Sequence, residues 1–203
     1  VSTKTESVVH HGSPVLDLPS QGKLGYDSSI THRDILVKDE EVLATATPAN
    51  FARTMNNVLR GICNNPSFFD SMSVHDRDFL LVWLWSNNYT PVKEVEVVCS
   101  NRECGAKHTY QVDMTELDVK PLKDDYKPLK IPLSLGEEGA YIRVRPNTVK
   151  DENEVEAFLE KMSNKTDAKK LPSFEHLMLV SSIDVGMNIP LDKKMEWVGE
   201  NVT

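Results

Sequence analysis

Apolar positions along this chain fall into three patterns, and each predicts a different element. Between Phe51 and Ile62 they keep helical spacing: Met55, Val58, Leu59 and Ile62 stand at i, i+3, i+4 and i+7, with Phe51 one turn earlier. Thr47-Pro48 reads as the start of that helix, and Gly61 with Asn64-Asn65-Pro66 as its end. Cys63, on the last turn, is expected to be a small buried hydrophobe. Val155, Phe158, Leu159 and Met162 repeat the spacing behind Thr148-x-x-Asp151, a capping signature with acids early and Lys161 late. Shorter helices are expected from Asp39 to about Ala46, after Pro172-Ser173, and after Pro190 with Met195, Trp197 and Val198.

The second pattern is unbroken. Phe79 to Trp85 is a run of seven apolar residues behind Ser73 and Asp76, a helix N-cap pair. Such a helix has no polar face and is expected to be central and buried from several sides. It falls far short of the roughly 20 apolar residues a membrane span needs.

The third pattern is extended. Val92–Val98 and Lys107–Asp113 read as a hairpin whose short polar turn is bracketed by Cys99 and Cys104. Ile30–Leu36 reads as a strand, and Lys130–Leu135 with Ala140–Arg145 as a hairpin around Gly136-Glu137-Glu138-Gly139. Pro121 and Pro128 mark 118–130 as a linker, and residues 1–15 have the composition of a flexible arm. The predicted fold is therefore α+β: a central buried helix with flanking helices and several β-hairpins. An N-terminal half over 16–117 precedes the linker, and a second half over 131–203 follows it.

The halves echo each other. Ile30-x-x-Arg33-x-x-x-Val37-Lys38-Asp39-Glu40 matches Ile142-x-x-Arg145-x-x-x-Val149-Lys150-Asp151-Glu152 at a constant offset of 112. Upstream, Leu18-Pro19 and Ile131-Pro132 each precede two glycines three apart, Gly22 and Gly25, then Gly136 and Gly139. A duplicated hairpin-to-helix unit is the expectation; convergence on strand-then-capped-helix grammar is the alternative.

Charge narrows the partners. Lys plus Arg is 23 and Asp plus Glu 31 in 203 residues, a net charge of −8. This argues against nucleic-acid binding, which needs an excess of Lys and Arg on one face. With no long apolar run, a membrane is not an expected partner either. Three cysteines argue against a disulfide framework and for a reducing cytoplasm.

Cys99-x4-Cys104-x3-His108 is the one metal-like constellation, and zinc the one candidate cofactor. By strand parity Cys99 and His108 converge at the hairpin tip, but structural zinc takes four ligands and only three are local. A fourth would come from Cys63, a distant histidine or another chain; a hairpin tip without metal is the alternative. Phosphate-loop, His-Glu-x2-His and Gly-x-Ser-x-Gly patterns are missing, so no enzyme and no catalytic residues are expected.

Leu18-Pro19-Ser20-Gln21-Gly22 with Tyr26, then Val37-Lys38-Asp39-Glu40-Glu41-Val42-Leu43, resembles the T4-type tailed-phage baseplate hub and hub-assembly family. Asp76-Arg77-Asp78-Phe79-Leu80-Leu81, Asn87-Asn88-Tyr89 and the Cys99/Cys104 hairpin are similar too, and the likeness fades towards Met162. Where such proteins carry Cys-x2-Cys, this chain has x4. The resemblance implies a component of a contractile-tail baseplate, in the virion or in the host cytoplasm during assembly. It would be built into the hub or needed to assemble it, binding other tail proteins, with a homo-oligomer also open. A zinc-ribbon-like adaptor, or a metal-dependent hydrolase at the hairpin, is the rival reading. Two interfaces are expected: the arm with Val1, His10 and His11 leading into the turn at Leu18, and Trp197 with Val198 near the C-terminal end. The alternative for Trp197 is that it tucks back onto the helix at Phe174–Ile183.

Overall fold

Strand β1 (Val15–Asp17) pairs antiparallel with β2 (Ser29–Thr31), setting Leu16 opposite Ile30, in a computed structural model that describes residues 15–48, 50–101, 103–132, 141–163, 171–184 and 189–201. Both side chains are buried. The connection turns through Gln21 and Gly22, both left-handed at φ 52° and 76°, a conformation glycine adopts without steric cost. Leu18 N–H closes the loop on the Ser28 carbonyl at 2.8 Å.

The strand read to Leu36 stops at Thr31. His32 makes a single bridge to Cys63 and Arg33 N–H bonds the Ile62 carbonyl at 3.1 Å, after which the chain leaves the sheet for α1 (Val37–Ala44). Helix α2 (Phe51–Ile62) begins later than Thr47-Pro48. The Asn50 Oδ1 takes the Thr47 N–H and hydroxyl at 2.7 and 3.0 Å, which closes a turn ahead of the helix. Phe51 is exposed, off the buried face that carries Met55, Val58, Leu59 and Ile62. Cys63 is buried, as its position suggested.

A 3-10 turn over Pro66–Ser71 drives Phe69 and Met72 into the core. Helix α3 (Val74–Asn88) then starts on its expected cap, with Asp76 N–H on the Ser73 Oγ at 3.1 Å. Its burial is deepest on one face, though no residue from Phe79 to Leu84 is exposed. Leu80 and Leu84 are fully buried and Phe79, Leu81 and Trp83 partly so, while Trp85 sits at the rim, beside Tyr89 and under the Lys93 ammonium. Amphiphilic indole and the exposed hairpin beyond account for an apolar residue left at this edge.

Strands β3 (Val92–Val98) and β4 (Lys107–Asp113) pair over their whole length, from Val92 opposite Asp113 to Val98 opposite Lys107. An irregular crossing follows, tied to the first turn by Leu122 N–H on the Pro19 carbonyl at 2.8 Å and by Lys23 with Asp124 at 2.9 Å. Strands β5 (Leu129–Pro132) and β6 (Tyr141–Val144) form the second hairpin; its tip, with Gly136 and Gly139, lies outside the described residues. Helix α4 (Val149–Ser163), helix α5 (Phe174–Ser182), strand β7 (Ile183–Asp184) on β6, and helix α6 (Leu191–Asn201) complete the α+β fold.

The two units repeat the same contacts, and the likeness extends further than the sequence match. Arg33 forks onto Asp39 at 2.6 and 2.9 Å, and Arg145 onto Asp151 at 2.6 and 2.8 Å. Each aspartate also takes the N–H three residues before it, from Leu36 at 2.9 Å and Thr148 at 2.7 Å. The return strand repeats as well: His32 pairs with Cys63 as Val144 pairs with Ile183, and Arg145 N–H bonds Ser182 as Arg33 bonds Ile62. Upstream the register amends the glycine-based alignment. Ile131 faces Ile142 as Leu16 faces Ile30, so Leu16, not Leu18, is the counterpart of Ile131.

Candidate protein-binding interface

The halves are locked by charge inside the core. Arg77, on α3, donates Nη1 to Glu152 Oε2 at 2.6 Å and Nη2 to Oε1 at 3.0 Å, and Asn56 of α2 bonds both partners. Two charges withdrawn from water are tolerable here because both Glu152 oxygens accept from Arg77 and Asn56 adds a further bond to each partner. Glu156, also on α4, receives the first-turn N–H groups of α2, Ala52 at 3.1 Å and Arg53 at 2.9 Å, so one half caps a helix of the other. The backbone adds a bridge between Ser73 and Thr148, with Val149 N–H on the Met72 carbonyl at 2.9 Å.

Sequence reasoning missed this network. Arg77 stood beside an apolar run and Glu152 and Glu156 read as ordinary helix-start acids; their repeat equivalents, Glu40 and Ala44, do not make the same contacts. No local signal marks an acid whose partner lies 75 positions away.

Side chains suited to chemistry are occupied structurally. The buried Asp76 accepts the Ser20 N–H at 3.1 Å and the Tyr26 hydroxyl at 2.5 Å. Burial and this carboxylate together push the Tyr26 phenol up. His32 lies buried edge-on to Trp83, ring centroids 4.6 Å apart, and His75 is exposed on the first turn of α3. Burial pushes the Cys63 thiol up to about 11, which leaves it inert as a nucleophile.

The β3–β4 hairpin stands apart. Every residue of β3 is exposed, on both faces of the ribbon. Val95 faces Tyr110 and Val97 faces His108, and these four share one side. Val97 is 48 % exposed and Tyr110 54 %. Cys99 and Cys104 are exposed at the tip, where Cys99 N–H bonds the Ala106 carbonyl at 2.8 Å. Among the described residues no three His, Cys, Asp or Glu come together as a metal ion requires.

Of the residues expected at interfaces, Leu18 is 1 % exposed and belongs to the core. Trp197 and Val198 are half-buried on α6, which packs against α5 and α4. Val1, His10 and His11 lie outside the described residues. Among the described residues no helix is long and apolar enough to cross a membrane.

The chain is thus an α+β protein whose repeated frame is braced by internal ion pairs and carries an exposed hairpin. A family model described as T4 bacteriophage base plate protein matches residues 13–185, and the chain belongs to this family. Membership makes it a structural component of the phage baseplate, located in the virion tail, and points to a non-enzymatic role. No curated protein and no solved structure matches the chain.

Proposed function

We propose that this protein builds or assembles the hub of a contractile-tail baseplate by binding other tail proteins, and that the β3–β4 hairpin is the principal contact. One observation carries the reading: a two-stranded ribbon with Val95, Val97 and Tyr110 exposed on one side and, among the described residues, no third strand on either edge. An isolated hairpin is marginally stable in water, and unpaired strand edges template pairing with another chain. A neighbouring baseplate protein covering the Val95–Tyr110 side offsets both costs. Trp197 and Val198 on α6 form a second, smaller contact.

The test replaces residues 92–113 with a short turn and asks whether the folded variant enters baseplates in infected cells. Loss of incorporation, with far-ultraviolet circular dichroism retaining the helical signal, is expected. Normal particles containing the variant would overturn the assignment.

A further inference from the structure

The internal repeat has two open ends, and they complement each other. At the junction between the halves, α2 of the first packs on α4 of the second. Asn56 Nδ2 donates to Glu152 Oε2 at 2.8 Å and to Asn153 Oδ1 at 3.0 Å. Val149 at the head of α4 is 0 % exposed and Leu59 on α2 is 2 % exposed, both within one core cluster.

Each side of this junction has a counterpart with no cover. The offset of 112 sets Val37, Glu40 and Glu41 of α1 at the places of Val149, Glu152 and Asn153. The shared bridge position of Cys63 and Ile183, an offset of 120, sets His176 and Leu179 of α5 at the places of Asn56 and Leu59. Val37 is 70 % exposed and Leu179 59 % exposed. Glu40, Glu41 and His176 are exposed too, and Glu40 accepts from the Tyr89 hydroxyl. Helix α5 instead buries Leu177 and Val180, and it packs on both α4 and α6.

We propose that a second copy of this chain seats its α5 on α1, repeating between molecules the contact that α2 and α4 make within one. Leu179 covers Val37, and the His176 imidazole N–H donates to the Glu40 carboxylate as Asn56 donates to Glu152. The two patches differ, so the contact is head-to-tail: it closes into a ring if the rotation allows and otherwise grows. This association concerns the purified chain alone and is independent of the hub assignment.

The experiment is light scattering on size-exclusion fractions of the full chain over a range of concentrations, with Val37→Asp, Leu179→Asp and their equimolar mixture. Wild type associates with rising concentration. Each variant alone is monomeric, its self-association weakened by on the order of tenfold or more for one desolvated carboxylate in an apolar contact. The mixture forms a heterodimer and stops there, because Val37→Asp keeps an intact α5 and Leu179→Asp an intact α1. Should either substitution lower the melting temperature, Val37→Ser and Leu179→Ser take their places. A wild type monomeric at every concentration, an oligomer that both variants retain, or a mixture without heterodimer would each overturn the proposal.

Discussion

Arg77 and Glu152 meet through both terminal guanidinium nitrogens and both carboxylate oxygens, buried between helices from opposite halves. Removing one partner strands the other charge away from water, at a cost of about 3–5 kcal/mol. Arg77→Ala is therefore expected to lower the urea midpoint sharply, while Arg77→Met with Glu152→Leu recovers most of the loss. A single substitution costing less than about 1 kcal/mol, the range of an exposed pair, would show that the bond carries little.

Glu156 is expected to act as a helix cap supplied from a distance. Glu156→Ala leaves the Ala52 and Arg53 N–H groups unpartnered and costs about 0.5–2 kcal/mol, with Glu156→Gln recovering part because its amide oxygen still accepts. Hydrogen exchange at Ala52 and Arg53 is the local readout. Unchanged protection there in the alanine variant would count against the cap.

Acid should loosen both repeat units by one mechanism. The Arg33 guanidinium holds the Asp39 carboxyl below the usual carboxylate range. Burial alone would raise Asp151, but Arg145 and the Thr148 N–H outweigh it and hold it low as well. With folded values depressed, the unfolded chain binds more protons, so stability rises with pH. The contribution is complete above the unfolded value of about 3.9 and disappears as pH falls through the folded ones. Urea midpoints measured from pH 6 down to 2 should fall below about pH 4, and less steeply in Asp151→Asn.

Thiol titration separates the three cysteines. Cys99 and Cys104 are exposed and react at once with an aromatic disulfide, whereas Cys63 appears only in denaturant. Three fast thiols would put Cys63 at the surface. Adding zinc to the native protein tests the hairpin tip directly, since coordination by Cys99, Cys104 and His108 would slow the fast pair.

What could be read beforehand was periodic or local. The caps at Ser73, Thr148 and Ser173 are written within three residues of the atoms they satisfy, and the β3–β4 hairpin is two extended runs between turn signals. Ile30–Leu36 was legible as extended but not as leaving the sheet, because Cys63 offers only one bridge to hold it. Phe51 kept the helical spacing yet stands exposed, since spacing defines a stripe and not where a neighbour ends. The Arg77–Glu152 clamp and the Glu156 cap were invisible because both depend on how two distant halves dock.

Met114 N–H bonds the Pro91 carbonyl at 2.9 Å, so the chain enters and leaves the β3–β4 ribbon at a single point. An insertion with coincident ends adds little closure entropy to the frame, whatever its length. Such a ribbon is a cassette: exchanging or lengthening its sequence is expected to leave the folding free energy of the frame beneath little changed.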